Sequence, residues 1–97
     1  MDEGVQIIYT FTNVPRSQGS KFSRRFWGWT DKSKYGRYTY IREGFIDGFP
    51  YIRLGRSMLI VRKGDSQRVI AFIEQYGGEI SVRDVKLSKD DRVRLGM

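Results

Sequence analysis

The chain of 97 residues contains no cysteine and no histidine. The first absence rules out disulfides, thiolate metal sites and sulfur nucleophiles. The second removes the commonest general base and metal ligand near neutral pH. Long apolar stretches are missing too: nothing approaches the run of about 18 apolar residues that a membrane helix needs. The sequence opens with Asp2 and Glu3 rather than a basic stretch followed by an apolar one, so neither a signal peptide nor a membrane partner is expected. These absences point to a soluble, cytoplasmic protein that carries no metal and no cofactor. Its hydrophobic content of 39% over 97 residues suits a single domain spanning residues 1–97.

Acidic residues are scarce where basic ones are dense. Between Arg16 and Arg42 stand eight basic residues (Arg16, Lys21, Arg24, Arg25, Lys32, Lys34, Arg37 and Arg42), with Asp31 the one acid. The other seventy residues carry ten basic and ten acidic side chains, so this one segment holds the whole net charge of +7. A charge so localised makes a field that attracts polyanions, whereas an even spread mainly serves solubility. Arginine outnumbers lysine twelve to six, and its planar fork matches phosphate oxygens and guanine edges.

Periodicity organises the rest. Val5, Ile7, Tyr9 and Phe11 alternate with Gln6, Thr10 and Thr12, which predicts a strand over 5–12. Residues 13–20, NVPRSQGS, read as a mobile loop. Residues 21–29 and 37–42, rich in rings and β-formers, predict two strands of a hairpin joined by a loop over 30–36. EGFIDGFP (43–50) reads as a turn with two Phe anchors, Tyr51 to Leu54 as extended, and Met58 to Val61 as a central strand buried on both faces. Val69, Phe72, Ile73 and Tyr76 recur at helical spacing after Asp65 or Ser66 as a cap, predicting a helix over about 66–76 that stops at Gly77 and Gly78. A strand over 79–87 is expected to bulge near Arg83 and Asp84, where its apolar residues change phase. Ser88 and Asp91 form the capping box of a short C-terminal helix. The expected class is α+β: a mainly antiparallel sheet or open barrel of five to six strands with one main helix packed on it.

The hairpin carries the functional expectation. As strands, residues 21–29 place Lys21, Arg25, Trp27 and Trp29 on one face with Phe22, Arg24 and Phe26 on the other, and every face of the hairpin holds an arginine. Rings interleaved with guanidinium groups suit a nucleic-acid strand, whose bases stack while cations meet its phosphates. Phe22 and Phe26 are assigned to the core, Trp29, Tyr38 and Tyr40 to the surface, and Trp27 to neither. KYGRYTYI (34–41) is comparable, as physical analogy, with the ring-bearing strands of RNA-recognition and cold-shock modules, although Arg37 separates Gly36 from Tyr38 and Thr39 replaces a small residue. A plain structural hairpin, with arginine stems covering apolar surface, is the competing view. IRLGRS (52–57) sets Arg53 and Arg56 around Gly55, which reads first as an ordinary solvated turn and second as one able to hold a phosphate, and Arg68 sits where its charge opposes a helix dipole.

The expected activity is non-catalytic binding of RNA or DNA. The candidate contacts are Arg16, Lys21, Arg24, Arg25, Trp29, Lys32, Lys34, Arg37, Tyr38, Tyr40, Arg42, Arg53 and Arg56. A module docking on an acidic protein partner, or a homodimer, is the alternative, because Trp, Tyr and Arg also dominate protein interfaces. A metal-dependent nuclease is the third reading, resting on Glu43 and Asp47, which lack the spacing that usually marks such sites.

Overall fold

Alternating apolar residues at the N-terminus place one strand in the interior of a four-stranded sheet, with a neighbour on each side. The computed structural model describes residues 3–33, 36 and 38–97. In chain order it contains β1 (Glu3–Thr10), α1 (Arg16–Trp27), β2 (Gly28–Ser33), β3 (Tyr38–Glu43), a 3-10 turn (Phe45–Gly48), β4 (Tyr51–Gly55) and β5 (Met58–Arg62). A second 3-10 turn (Lys63–Asp65), α2 (Ser66–Gln75), β6 (Glu79–Lys86) and α3 (Lys89–Arg94) complete it. Four strands form one antiparallel sheet in the order β4-β5-β1-β6. The crossovers β1-α1-β4 and β5-α2-β6 each span one intervening strand, so two split β-α-β units interleave. β2 and β3 form a separate two-stranded hairpin inside the first crossover. The fold is therefore a small α+β domain, with six strands among the described residues and the expected helix after Asp65.

The sheet buries residues on both faces. Val5, Ile7 and Tyr9 of β1, with Leu59 and Val61 of β5, meet Phe22 and Phe26 of α1, Val69 and Ile73 of α2, and Ile46. On the opposite face Ile52, Ile60, Leu87 and Leu95 form a smaller cluster. The continuous run Leu59-Ile60-Val61 is buried throughout, as an interior strand covered on both sides requires. Ser88 accepts from the Asp91 N–H at 3.0 Å while the Asp91 carboxylate accepts from the Ser88 N–H at 3.1 Å, so the capping box starts α3 as expected. Among the described residues, no helix is long and apolar enough to cross a membrane.

Four expectations are corrected. Residues 16–27 are helix, not the end of a mobile loop followed by a strand. Phe22 and Phe26, four apart, fall on one helical face, where they stack at 5.0 Å and meet the Tyr9 ring at 5.2 and 6.0 Å. Burial of these two rings outweighs the β preference of their type. The strand itself begins only at Gly28, so residues 30–33 belong to β2 rather than to the hairpin loop. No bulge interrupts β6, whose pairing with β1 runs unbroken from Glu3↔Lys86 to Thr10↔Glu79. Its apolar residues change phase because Ile80 packs on the helix-covered face and Val85 on the other; the irregular register lies in β4, between Arg53 and Gly55. Asp65 makes no side-chain cap to α2. It is buried and held instead by Arg62 at 2.9 Å and Arg68 at 3.2 Å, so the charge of Arg68 is used inside the fold.

The hairpin is anchored at its base by two glycines. Gly28 ends α1 with φ +85° and ψ 180°, and its N–H donates to the Arg24 carbonyl. A Cβ there would lie 2.3 Å from the Arg42 carbonyl oxygen, and one on Gly44 would lie 2.2 Å from the Phe26 carbonyl oxygen. The end of α1 and the end of β3 thus approach closer than side chains permit. Gly28→Ala is expected to cost about 1–3 kcal/mol in urea unfolding. Gly48→Ala, where a Cβ meets nothing within 4 Å, should be neutral or stabilising by a few tenths of about 1 kcal/mol.

Candidate nucleic-acid interface

Helical periodicity sorts α1 into two faces. Phe22 and Phe26 are buried and Gln18 and Gly19 half-buried, while Arg16, Ser17, Ser20, Lys21, Ser23, Arg24 and Arg25 are exposed. Lys21, Arg24 and Arg25 stand at i, i+3 and i+4, so they form one stripe. The helix contains no acid, and no ion pair among the described residues involves its cations. Arg24 and Arg25 in the last turn complement the negative end of the helix dipole. The stripe is accordingly an unneutralised basic ridge held on a rigid element.

Trp29 continues the ridge onto the hairpin. It is 40% exposed, and the Arg24 guanidinium lies 5.2 Å from its ring centroid. Ser17, Ser20, Lys21, Arg24, Arg25 and Trp29 line a recess of about 490 Å³. Trp29 pairs with Arg42 and Asp31 with Tyr40, and residues directly opposite in a ladder share a face. Tyr40, 48% exposed, has the Arg42 guanidinium 5.6 Å from its centroid. Asp31, the one acid of the segment, meets Arg42 at 3.4 Å; such a solvent-screened pair contributes little. Thr30, Lys32, Thr39 and Ile41 occupy the other face and are exposed as well. With both faces in solvent, the hairpin is an arm rather than a core element. Tyr38 pairs through its backbone with Ser33, whereas Lys34, Arg37 and the side chain of Tyr38 lie outside what is described.

Two signals far apart in the sequence converge on a second recess. Arg16 of α1, Arg53 of β4 and Arg56 of the following turn line one cleft of about 520 Å³ with Ser20, Ser23 and Ser57. Ser20 lines this cleft and the Trp29 recess alike, so α1 is a ridge between two basic hollows. Trp27, unassigned by its sequence position, lies half-buried under Arg53, whose guanidinium is 3.8 Å from its ring centroid. Its indole N–H donates to the Tyr9 hydroxyl at 2.7 Å, which in turn donates to the Arg56 carbonyl at 3.1 Å. Sequence periodicity marks Tyr9 as a core strand residue and carries no sign of this linking role.

Other candidates are occupied elsewhere. The Asp47 carboxylate accepts from the Gly44 N–H at 2.8 Å and closes a 3-10 turn, and among the described residues no group of three acids could hold a metal ion. Of the stretch compared with RNA-recognition strands, residues 38–41 fall on the hairpin arm, not in the four-stranded sheet, and Lys34, Tyr35 and Arg37 lie outside the described residues. The basic candidates therefore separate into a ridge with its arm and a cleft beside it.

Burial raises the Tyr9 hydroxyl above its ordinary 10.0, opposed by the hydrogen bond from Trp27 and the charge of Arg53. The unfolded chain loses this proton first, so the stability Tyr9 contributes is complete below pH 10 and is lost as pH rises through the folded value. In urea unfolding at about pH 8, Tyr9→Phe should cost about 1–2 kcal/mol by leaving the Trp27 N–H unpaired. The gap from the native protein should narrow at about pH 11, above the ordinary tyrosine value.

No family model, curated protein or solved structure matches the chain, and the reading of this surface rests on its own geometry.

Proposed function

We propose that the protein binds nucleic acid, with the outer face of α1 and the adjoining face of the hairpin arm as its contact surface. The observation that carries this reading is the stripe Lys21-Arg24-Arg25, without an acidic partner among the described residues, beside the exposed ring of Trp29. Cations on a helix can follow a phosphate backbone, and a ring within reach of the same strand gives a base a stacking surface. Trp29 and Tyr40, both exposed and both beside an arginine, favour a single strand of RNA or DNA, because a duplex keeps its bases from such rings. Contacts of this kind position a strand without reading its sequence, so binding is salt-dependent and weakly selective.

A specific feature favours a second reading, in which the arm docks on a protein. Ile41 is 83% exposed on the face of the arm turned from Trp29, and an apolar side chain there would suit a partner or a second copy of the chain. The two faces can be tested separately, since Ile41→Thr touches only the second.

Titration with single-stranded RNA, single-stranded DNA and duplex DNA at two salt concentrations, followed by anisotropy of the labelled strand, tests the proposal. Changing Lys21, Arg24 and Arg25 together to Gln should reduce the slope of log affinity against log salt by about 2 for a single strand. Trp29→Ala should weaken single-strand binding by about 1–3 kcal/mol. An unaltered slope and affinity in both variants would overturn the reading. Self-association that disappears in Ile41→Thr, without any nucleic-acid binding, would replace it with the second.

A further inference from the structure

The cleft between the first turns of α1 and the β4–β5 turn lies outside the ridge to which the strand is assigned. Arg16, Arg53 and Arg56 reach it from three different elements, and Ser20, Ser23 and Ser57 supply hydroxyls. No acid lines it, and none pairs with these arginines among the described residues. Three like charges drawn to one recess repel one another unless an anion joins them.

The site is also preorganised. Arg53 is stacked on Trp27 at 3.8 Å, and its Nε donates to the Gly55 carbonyl at 3.0 Å, which leaves its terminal nitrogens for a ligand. The Trp27–Tyr9–Arg56 chain of hydrogen bonds pins the turn that carries Arg56. An arginine and a turn already held in place lose little more freedom when an anion arrives.

A phosphate monoester fits this recess better than the interior of a strand does. Near neutral pH it carries about −1.5 to −2 charge and three strong acceptor oxygens, which match three arginines and the neighbouring hydroxyls. An internal phosphodiester carries one charge and must continue in two directions, whereas a recess of about 520 Å³ is the size of one small ligand. Phe11 and Val14 add apolar lining for a sugar or base. Because Ser20 borders both hollows, a strand lying along Lys21 and Trp29 reaches the cleft across a single side chain. We propose, building on the nucleic-acid reading above, that the cleft receives the phosphorylated end of the bound strand.

The test compares one short single-stranded oligonucleotide bearing a 5′-phosphate, a 3′-phosphate or neither, by anisotropy of an internal label. One phosphorylated form should bind about tenfold tighter or more than the unphosphorylated form, the effect of one charge-assisted hydrogen bond. That ratio should fall to about one in Arg16→Gln/Arg56→Gln, whose folding is checked by circular dichroism. In Lys21→Gln/Arg25→Gln both affinities should drop while the ratio persists. Equal affinities for all three forms, or a ratio that survives loss of Arg16 and Arg56, would overturn the inference and leave the ridge reading intact. If no oligonucleotide binds, thermal unfolding with a nucleoside monophosphate, its nucleoside and inorganic phosphate separates the two ideas. A shift with the monophosphate that vanishes in Arg16→Gln/Arg56→Gln would keep the phosphate site and overturn the strand, and no shift would overturn both.

Discussion

The basic ridge of α1 depends on the burial of two phenylalanine rings. Phe22 and Phe26 stack on each other and fill the space between Tyr9 of β1 and Phe72 of α2, with ring centroids 5.0 to 6.0 Å apart. Each such ring contributes roughly 1.5–3 kcal/mol when removed from water, and edge-on and offset contacts among aromatics add to that. Their spacing of four residues is satisfied by a helix whose inner face is apolar. The same turn of the chain then forces Lys21, Arg24 and Arg25 outward, so the core contact also orients the basic ridge.

The second constraint is the close meeting of Gly28 and Gly44. An isolated two-stranded hairpin is at best marginally stable in water, and here neither face of the arm is covered. Backbone contact at its base fixes the direction in which β2 leaves α1, and Arg24 over Trp29 ties the helix to the first residue past the turn. The surface proposed to bind a strand is thus continuous across two elements. On the other flank, Trp27 and Tyr9 belong to the core and yet hold Arg53 and the Arg56 turn. Packing and surface chemistry share residues at this point, which is why the cleft is well defined without any acid to organise it.

The elements most legible in the sequence are those whose signals are local. The helix after Asp65, the buried run Leu59-Ile60-Val61 and the Ser88–Asp91 box are all written in neighbouring residues, and the structure forms each of them. The segment from Arg16 to Trp27 misled because its rings and arginines have the composition of a strand, while its helical signals were sparse: Pro15 ahead of the first turn, the Phe22–Phe26 spacing and Gly28 at the end. A phase change like that in β6 requires a bulge only in a strand buried on one side; a sheet covered on both faces needs none. Asp65 shows the same limit, since a carboxylate suited to capping was taken up by Arg62 and Arg68.

By itself the sequence determined the α+β class, the chemistry that is excluded by lacking thiols and imidazoles, and the concentration of all net charge between Arg16 and Arg42. These follow from composition and from contacts a few residues apart. Only the tertiary structure decided that this charge is divided between a helical ridge, an exposed arm and a cleft. Arg16 meets Arg53 and Arg56 because β1-α1-β4 is a crossover that brings the start of the helix to the edge of the sheet. Such a meeting depends on burying rings some distance along the chain, and no local pattern of residues encodes it.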